Sequence, residues 1–255
     1  MARLPSCFIS HGGGPWPYMR EQTGGMYEHL AQSLQDMPRQ IGVRPQAVLV
    51  ISGHWEEHEF TVMAGAEPPM VYDYSGFPEH TYRVRYPAPR SPALAAQLQQ
   101  LIQDAGFAAR LDARRGFDHG TFAPLVVMYP QADVPVLQLS LRVGYDPAEH
   151  LAVGSGLSYR NLRRMGPPAA VPSRQFDDWL QQTLVTSDAP QRVQRLTAWQ
   201  DAPAARIAHP QEDHLLPLMV AVGAAEHEPA ACVYHKSGFF GGVTVSSFRF
   251  GRTAD

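Results

Sequence analysis

The chain has 255 residues, 44% of them hydrophobic, and a formal net charge of −3. That length and apolar content suit one α/β domain spanning 1–255 with a substantial core. The charge makes no electrostatic case for nucleic acid, two cysteines are too few for a disulfide framework, and no apolar run approaches the roughly 18 residues of a membrane span.

In chain order, residues 6–10 read as a first strand, with Cys7 a buried thiol inside it. Structure starting this early leaves no room for a secretory leader, so a soluble, cytoplasmic protein is expected. A glycine-rich loop, His11-Gly12-Gly13-Gly14, follows, then a helix over 25–37 and a second strand over 47–52. Residues 56–86 are rich in aromatics and prolines, with a short strand at 60–63 and a loop at 72–78 of the kind that carries substrate contacts. Ser91, Pro92 and Gly106 mark the cap, first turn and end of a helix over 91–105. Beyond the apolar run 123–129, strands are expected at 134–141 and 151–154, and helices at 175–185 and 191–199. Pro210 and Asp213 open an apolar helix that runs to 225, and residues 242–250 form a closing strand. Strands alternate with helices and no repeat is visible, which predicts a central, mostly parallel or mixed sheet flanked by helices, with the active site at the carboxyl edge of the strands. One place resists: only nine residues, 142–150, separate two of these strands, and a parallel crossover needs roughly a dozen. Either the strands pair antiparallel, or one is not a strand, or a helix has been lost.

Eleven histidines stand in the chain. His11 and His54 each follow an apolar run and abut glycine, a placement that suggests a metal site as well as an ordinary hydrogen-bonded strand end. His119, in Asp118-His119-Gly120, has a carboxylate beside it that could orient the ring for acid–base work. His209 and His214 bracket the start of the apolar helix, where His214 would be costly to bury without a partner such as a metal. Competing motifs fail: Gly154-Ser155-Gly156 is no nucleophile elbow, and Gly12-Gly13-Gly14-Pro15 lacks the lysine of a phosphate loop.

Five ordered segments carry a resemblance. They are Ile9-Ser10-His11-Gly12-Gly13-Gly14-Pro15, Ile51-Ser52-Gly53-His54-Trp55, Gly116-Phe117-Asp118-His119-Gly120, Gly154-Ser155-Gly156-Leu157-Ser158-Tyr159, and the run from His209-Pro210-Gln211-Glu212-Asp213-His214 to Leu218. Together they resemble the class III extradiol ring-cleaving dioxygenases of the LigB type, in their DOPA 4,5-dioxygenase-like branch. The resemblance implies that His11, His54 and His214 bind one divalent metal and that His119 is the active-site acid or base. His209, Arg160, Tyr159 and Trp55 become candidate substrate contacts. It implies a small aromatic diol and O₂ as the reacting partners, and a homo-oligomer is possible. A catechol can chelate Fe(II) where protein ligands leave positions open, and a histidine can take its second phenolic proton. Fe(II) is expected for activity, and Zn(II) can occupy the same imidazoles.

Two departures from the family pattern are neighbours. Arg160 stands in Tyr159-Arg160-Asn161-Leu162 where the family has histidine, and arginine, with a pKa above about 12, is no base, although its fork can hold a carboxylate or catecholate. The short 142–150 segment leaves no expected place for the helix that the family has between the 134–141 strand and Gly154. Together they favour an alternative: a metal-binding, zinc-type relative without dioxygenase activity, acting as a hydrolase or a small-molecule binder.

Overall fold

A computed structural model describes residues 4–65, 67, 69–151, 158–161 and 163–252. In chain order its main elements are β1 (Ser6–Phe8), α1 (Glu28–Ile41), β2 (Val48–Glu57), β3 (Phe60–Met63), α2 (Pro92–Asp104), β4 (Ala109–Asp112), α3 (His119–Met128), β5 (Val136–Arg142), α4 (Pro147–Leu151), α5 (Ala170–Gln181), α6 (Ala189–Thr197), α7 (Ala205–Ala208), α8 (Leu216–Gly223), β6 (Ala230–Phe239) and β7 (Val243–Phe250). The protein is α/β, and its chain forms two compact units, residues 11–144 and residues 1–10 with 145–255.

The unit of residues 11–144 is built on a four-stranded sheet ordered β2-β5-β3-β4. The β2–β5 and β3–β4 pairs are parallel, whereas β3 meets β5 antiparallel at Val62 and Leu139, so the sheet is mixed, as the alternating pattern predicts. Helix α2 packs on β3 and β4, and α3 on β2 and α1. Strand β5 is buried from Val136 to Leu141, the state of a strand covered on both faces. Ser140 Oγ accepts the Thr61 amide at 2.9 Å, and Gln138 Nε2 donates to Asp118.

Strand β2 runs longer than the expected 47–52. Ile51 faces Leu139 and Glu56 faces Leu141, so five steps along β2 match two along β5. The excess forms a bulge over residues 52–55, and bulges re-aim side chains. His54 therefore lies within the strand, on its bulge, and not past the strand's end. Helix α1 also outruns its expected end, because Pro38 sits only four residues from the C-cap. Gly42, at φ +76°, closes the helix in the left-handed conformation, its N–H reaching Pro38 O at 3.3 Å.

Helix α2 matches its sequence signals closely. Ser91 caps it, accepting the Leu94 amide at 3.3 Å, with Pro92 in the first turn. Ser91→Ala is expected to cost about 1 kcal/mol, read as a shift in the urea unfolding midpoint.

The second unit holds a three-stranded antiparallel sheet ordered β1-β7-β6. Strand β1 pairs with β7 (Ser6 with Phe250), so the expectation that it belongs to one central sheet is corrected. The tight β6–β7 connection, with Phe240 and Gly241 at positive φ, permits only antiparallel pairing. Helix α5 packs on β7, and α8 packs against α4 and β1. Cys7, expected to be buried, is half-buried, and its enclosure pushes the thiol up to about 11.

Two expectations in this unit change. Leu151 ends helix α4 and does not begin a strand, and the remainder of the expected strand, with Gly154-Ser155-Gly156, lies outside the described residues. A helix thus does stand in the short segment. Asp146 Oδ1 accepts the Ala148 amide at 2.8 Å and Pro147 follows the cap, so five residues suffice for it. The apolar helix α8 starts at Leu216, six residues beyond Pro210, because Pro217 takes the first-turn position where a missing N–H costs least. His214 accordingly sits in the turn before α8, and Leu215 N and Leu216 N share the Glu212 carbonyl at 2.7 and 2.9 Å.

Candidate metal centre

Three segments of the 11–144 unit converge on one group of histidines. His11 opens the glycine loop, and its carbonyl accepts Trp16 Nε1 at 2.7 Å, while Trp16 stacks on Tyr27 with centroids 4.9 Å apart. A buried indole therefore anchors the His11 backbone. His54 projects from the β2 bulge. His119 is the first residue of α3, whose cap is Asp118. One ligand atom from each of the three histidines lies within 4.8 Å of the others, the spacing of donors around a single ion. The ring centroids are 4.1 Å apart for His54 and His119, 5.1 Å for His11 and His54, and 5.3 Å for His11 and His119.

The approach of α3 to β2 depends on Gly120. A Cβ there would lie 2.8 Å from His54 Cδ2 and 2.5 Å from Ser52 Oγ, so any side chain would push the two histidine-bearing elements apart.

A carboxylate ties two of the rings together. Asp73 Oδ2 lies 2.9 Å from His119 Nδ1 and 3.1 Å from His54 Nδ1, and Asp73 Oδ1 accepts the His119 backbone amide at 3.0 Å. Burial alone would raise the Asp73 pKa, but the hydrogen bonds from His119 and His54 outweigh it and hold the carboxyl well below the usual carboxylate range. Sequence reasoning reached the loop and missed this residue. It also gave the orienting role to Asp118, whose side chain points elsewhere. Asp118 accepts from Ser52 Oγ at 2.7 Å and from the Thr121 amide at 3.1 Å, and it pairs with Arg115 and Gln138. It organises the frame of α3 and β2, while Asp73, 46 residues before His119, orients the ring.

The aromatic loop packs around the same histidine. Tyr74 meets His119 edge-on at 6.0 Å and contacts Phe77 and Phe122, with its hydroxyl committed to Thr81 O at 2.6 Å. Trp55, expected to touch substrate, is buried, donates to Glu57 Oε1 at 3.0 Å and carries the Arg115 guanidinium 4.8 Å from its ring centroid.

The other candidates lie in the second unit. Arg160 Nη1 stands 3.0 Å from Asp213 Oδ2 and 2.8 and 3.1 Å from the two ring nitrogens of His214, whose Nδ1 is also 2.8 Å from Asp213 Oδ2. The partner that a buried His214 requires is thus supplied by Arg160 and Asp213. Tyr159 is buried and donates to Arg164 O at 3.0 Å. His209 is fully enclosed against Phe176 and Trp199, with Nε2 3.1 Å from Ser158 O, and burial pulls its pKa down to about 4, which keeps it neutral.

Comparison with known proteins gives this geometry its context. The family of the catalytic LigB subunit of aromatic ring-opening dioxygenase matches residues 4–155. A 4,5-DOPA dioxygenase extradiol of Beta vulgaris is 34% identical over 266 residues, covering 96% of each chain. One from Escherichia coli K12 is 30% identical, over 98% of this chain and 95% of its own. A crystal structure of an uncharacterized protein from Escherichia coli K12 superposes with a TM-score of 0.75 at 27% identity, covering 98% of this chain and 100% of that one. The chain belongs to the LigB family of aromatic ring-opening dioxygenases.

Proposed function

We propose that this protein is a metal-dependent extradiol dioxygenase that inserts both atoms of O₂ into a catechol-type ring and releases a ring-opened semialdehyde. The observation that carries the proposal is the convergence of His11, His54 and His119, two of them on one carboxylate. The donor set fits a divalent transition metal, because neutral imidazoles oriented by a carboxylate are ordinary ligands of ferrous iron and zinc. Ferrous iron, when bound, supplies a centre that can hold both catechol oxygens and O₂.

His11 and His54 are the proposed ligands, with His214 carried over as the third from the family resemblance. His119 is the proposed acid–base residue. Its Nδ1 is engaged by Asp73, so Nε2 is the atom left to accept a phenolic proton. Tyr74, with its hydroxyl tied to Thr81, presents an apolar ring beside His119 and keeps water from that flank. Arg160 is the proposed contact for an anionic group on the substrate.

The test is anaerobic loading with Fe(II), then addition of a catechol panel and air. Oxygen uptake matched mole for mole by a yellow semialdehyde is expected, and metal retention without uptake on any catechol would overturn ring cleavage. The contacts of Arg160 with both His214 nitrogens favour a second reading, a metal-holding relative that does not cleave rings. Under that reading Arg160→His leaves the function unchanged, whereas a large gain of ring cleavage in this variant marks a lapsed dioxygenase.

A further inference from the structure

We infer that Asp73 is a positioning residue that locks His54 and His119 into one tautomer through a single carboxylate oxygen. The inference rests on the reading of His54 as a metal ligand, and it deepens that reading by giving Asp73 control over which nitrogen of each ring carries the proton.

A carboxylate can only accept, so each Nδ1 facing Oδ2 must carry its proton, which places the lone pair of each ring on Nε2. Oδ1 meanwhile holds the backbone of His119, so the same side chain fixes that ring and the start of α3. The Asp73 side chain is only 18% exposed, which limits competition from water. Two rings drawn to one oxygen are also held close to each other, as their 4.1 Å centroid separation records. Outer carboxylates of this kind orient metal-bound imidazoles and raise their basicity. Here one carboxylate acts on a proposed ligand and on the proposed proton carrier together.

Asp73→Asn tests this. An amide presents one oxygen and one NH₂ group, so it cannot accept from both Nδ1–H groups and from the His119 backbone amide at once; either way its NH₂ faces a donor, which favours a tautomer change in at least one ring. Affinity for Zn(II), measured by competition with a chromophoric chelator, is expected to fall about 10- to 100-fold. The exposed control Asp104→Asn should leave it unchanged. Long-range ¹H–¹⁵N spectra of the metal-free wild type are expected to place His54 and His119 in the Nδ1–H form, and Asp73→Asn should lose at least one of these signals. An Nε2–H form in the wild type overturns the inference whether or not the variant folds, and so does a variant that keeps both wild-type affinity and wild-type tautomers. Failure of the wild type to bind any metal overturns the proposed function, while the metal-free spectra still decide the role of Asp73.

Discussion

His54→Ala is expected to bring bound metal below about one tenth of an equivalent and to reduce ring cleavage by more than about 10³-fold. Bound metal stabilises charge by several kcal/mol, and each 1.36 kcal/mol is tenfold in rate, so about 4 kcal/mol gives that factor. The substitution removes a proposed ligand and one of the two imidazoles that Asp73 Oδ2 holds. It spares the fold, because the ring stands on a bulge, outside the regular ladder between β2 and β5. Elemental analysis and an oxygen electrode, with far-ultraviolet circular dichroism as the folding control, supply the measurements. Full metal retention in the variant would remove His54 from the ligand set.

Asp118→Ala carries the largest expected stability loss, about 3–5 kcal/mol, because it strips the partner from a largely buried cation. The Asp118 carboxylate is completely buried and the Arg115 side chain is 15% exposed. The same change leaves Ser52 Oγ and Gln138 Nε2 without their acceptor and removes the cap of α3. Guanidinium unfolding should show a midpoint drop with little change in slope. Asp118→Asn keeps the shape and one acceptor oxygen, so a smaller loss is expected. A loss below about 1 kcal/mol in Asp118→Ala would mean that Arg115 finds water or another acceptor.

Much of this was legible in the chain, for reasons that differ by residue. Helix α2 could be read almost to its ends, since Ser91 and Pro92 act through local backbone chemistry alone. His11 and His54 stood out because glycine follows or precedes each beside an apolar run. Strand β6 escaped because Tyr234-His235-Lys236-Ser237 breaks its apolar pattern, and it is held by β7 through pairings formed only in the folded sheet. The start of α8 was misplaced because two prolines competed for the first turn, and only packing decides between them. Asp73 left no local signal. An aspartate between two tyrosines resembles any loop residue until the fold brings it to histidines 19 and 46 positions away. The carboxylate next to a histidine in sequence was the natural candidate, yet adjacent residues at a helix start point in different directions.

The β2 bulge has a mechanical consequence. It divides one strand into two ladders, Val48–Ile51 before it and Glu56–Glu57 after it, each with its own register on β5. In an unbroken strand, a one-residue slip would turn every side chain to the opposite face. Here register is set separately on either side of residues 52–55, so the face to which His54 turns does not follow from either ladder alone. Across the strand, the shared Asp73 carboxylate and the missing side chain at Gly120 set the distance of His54 from His119.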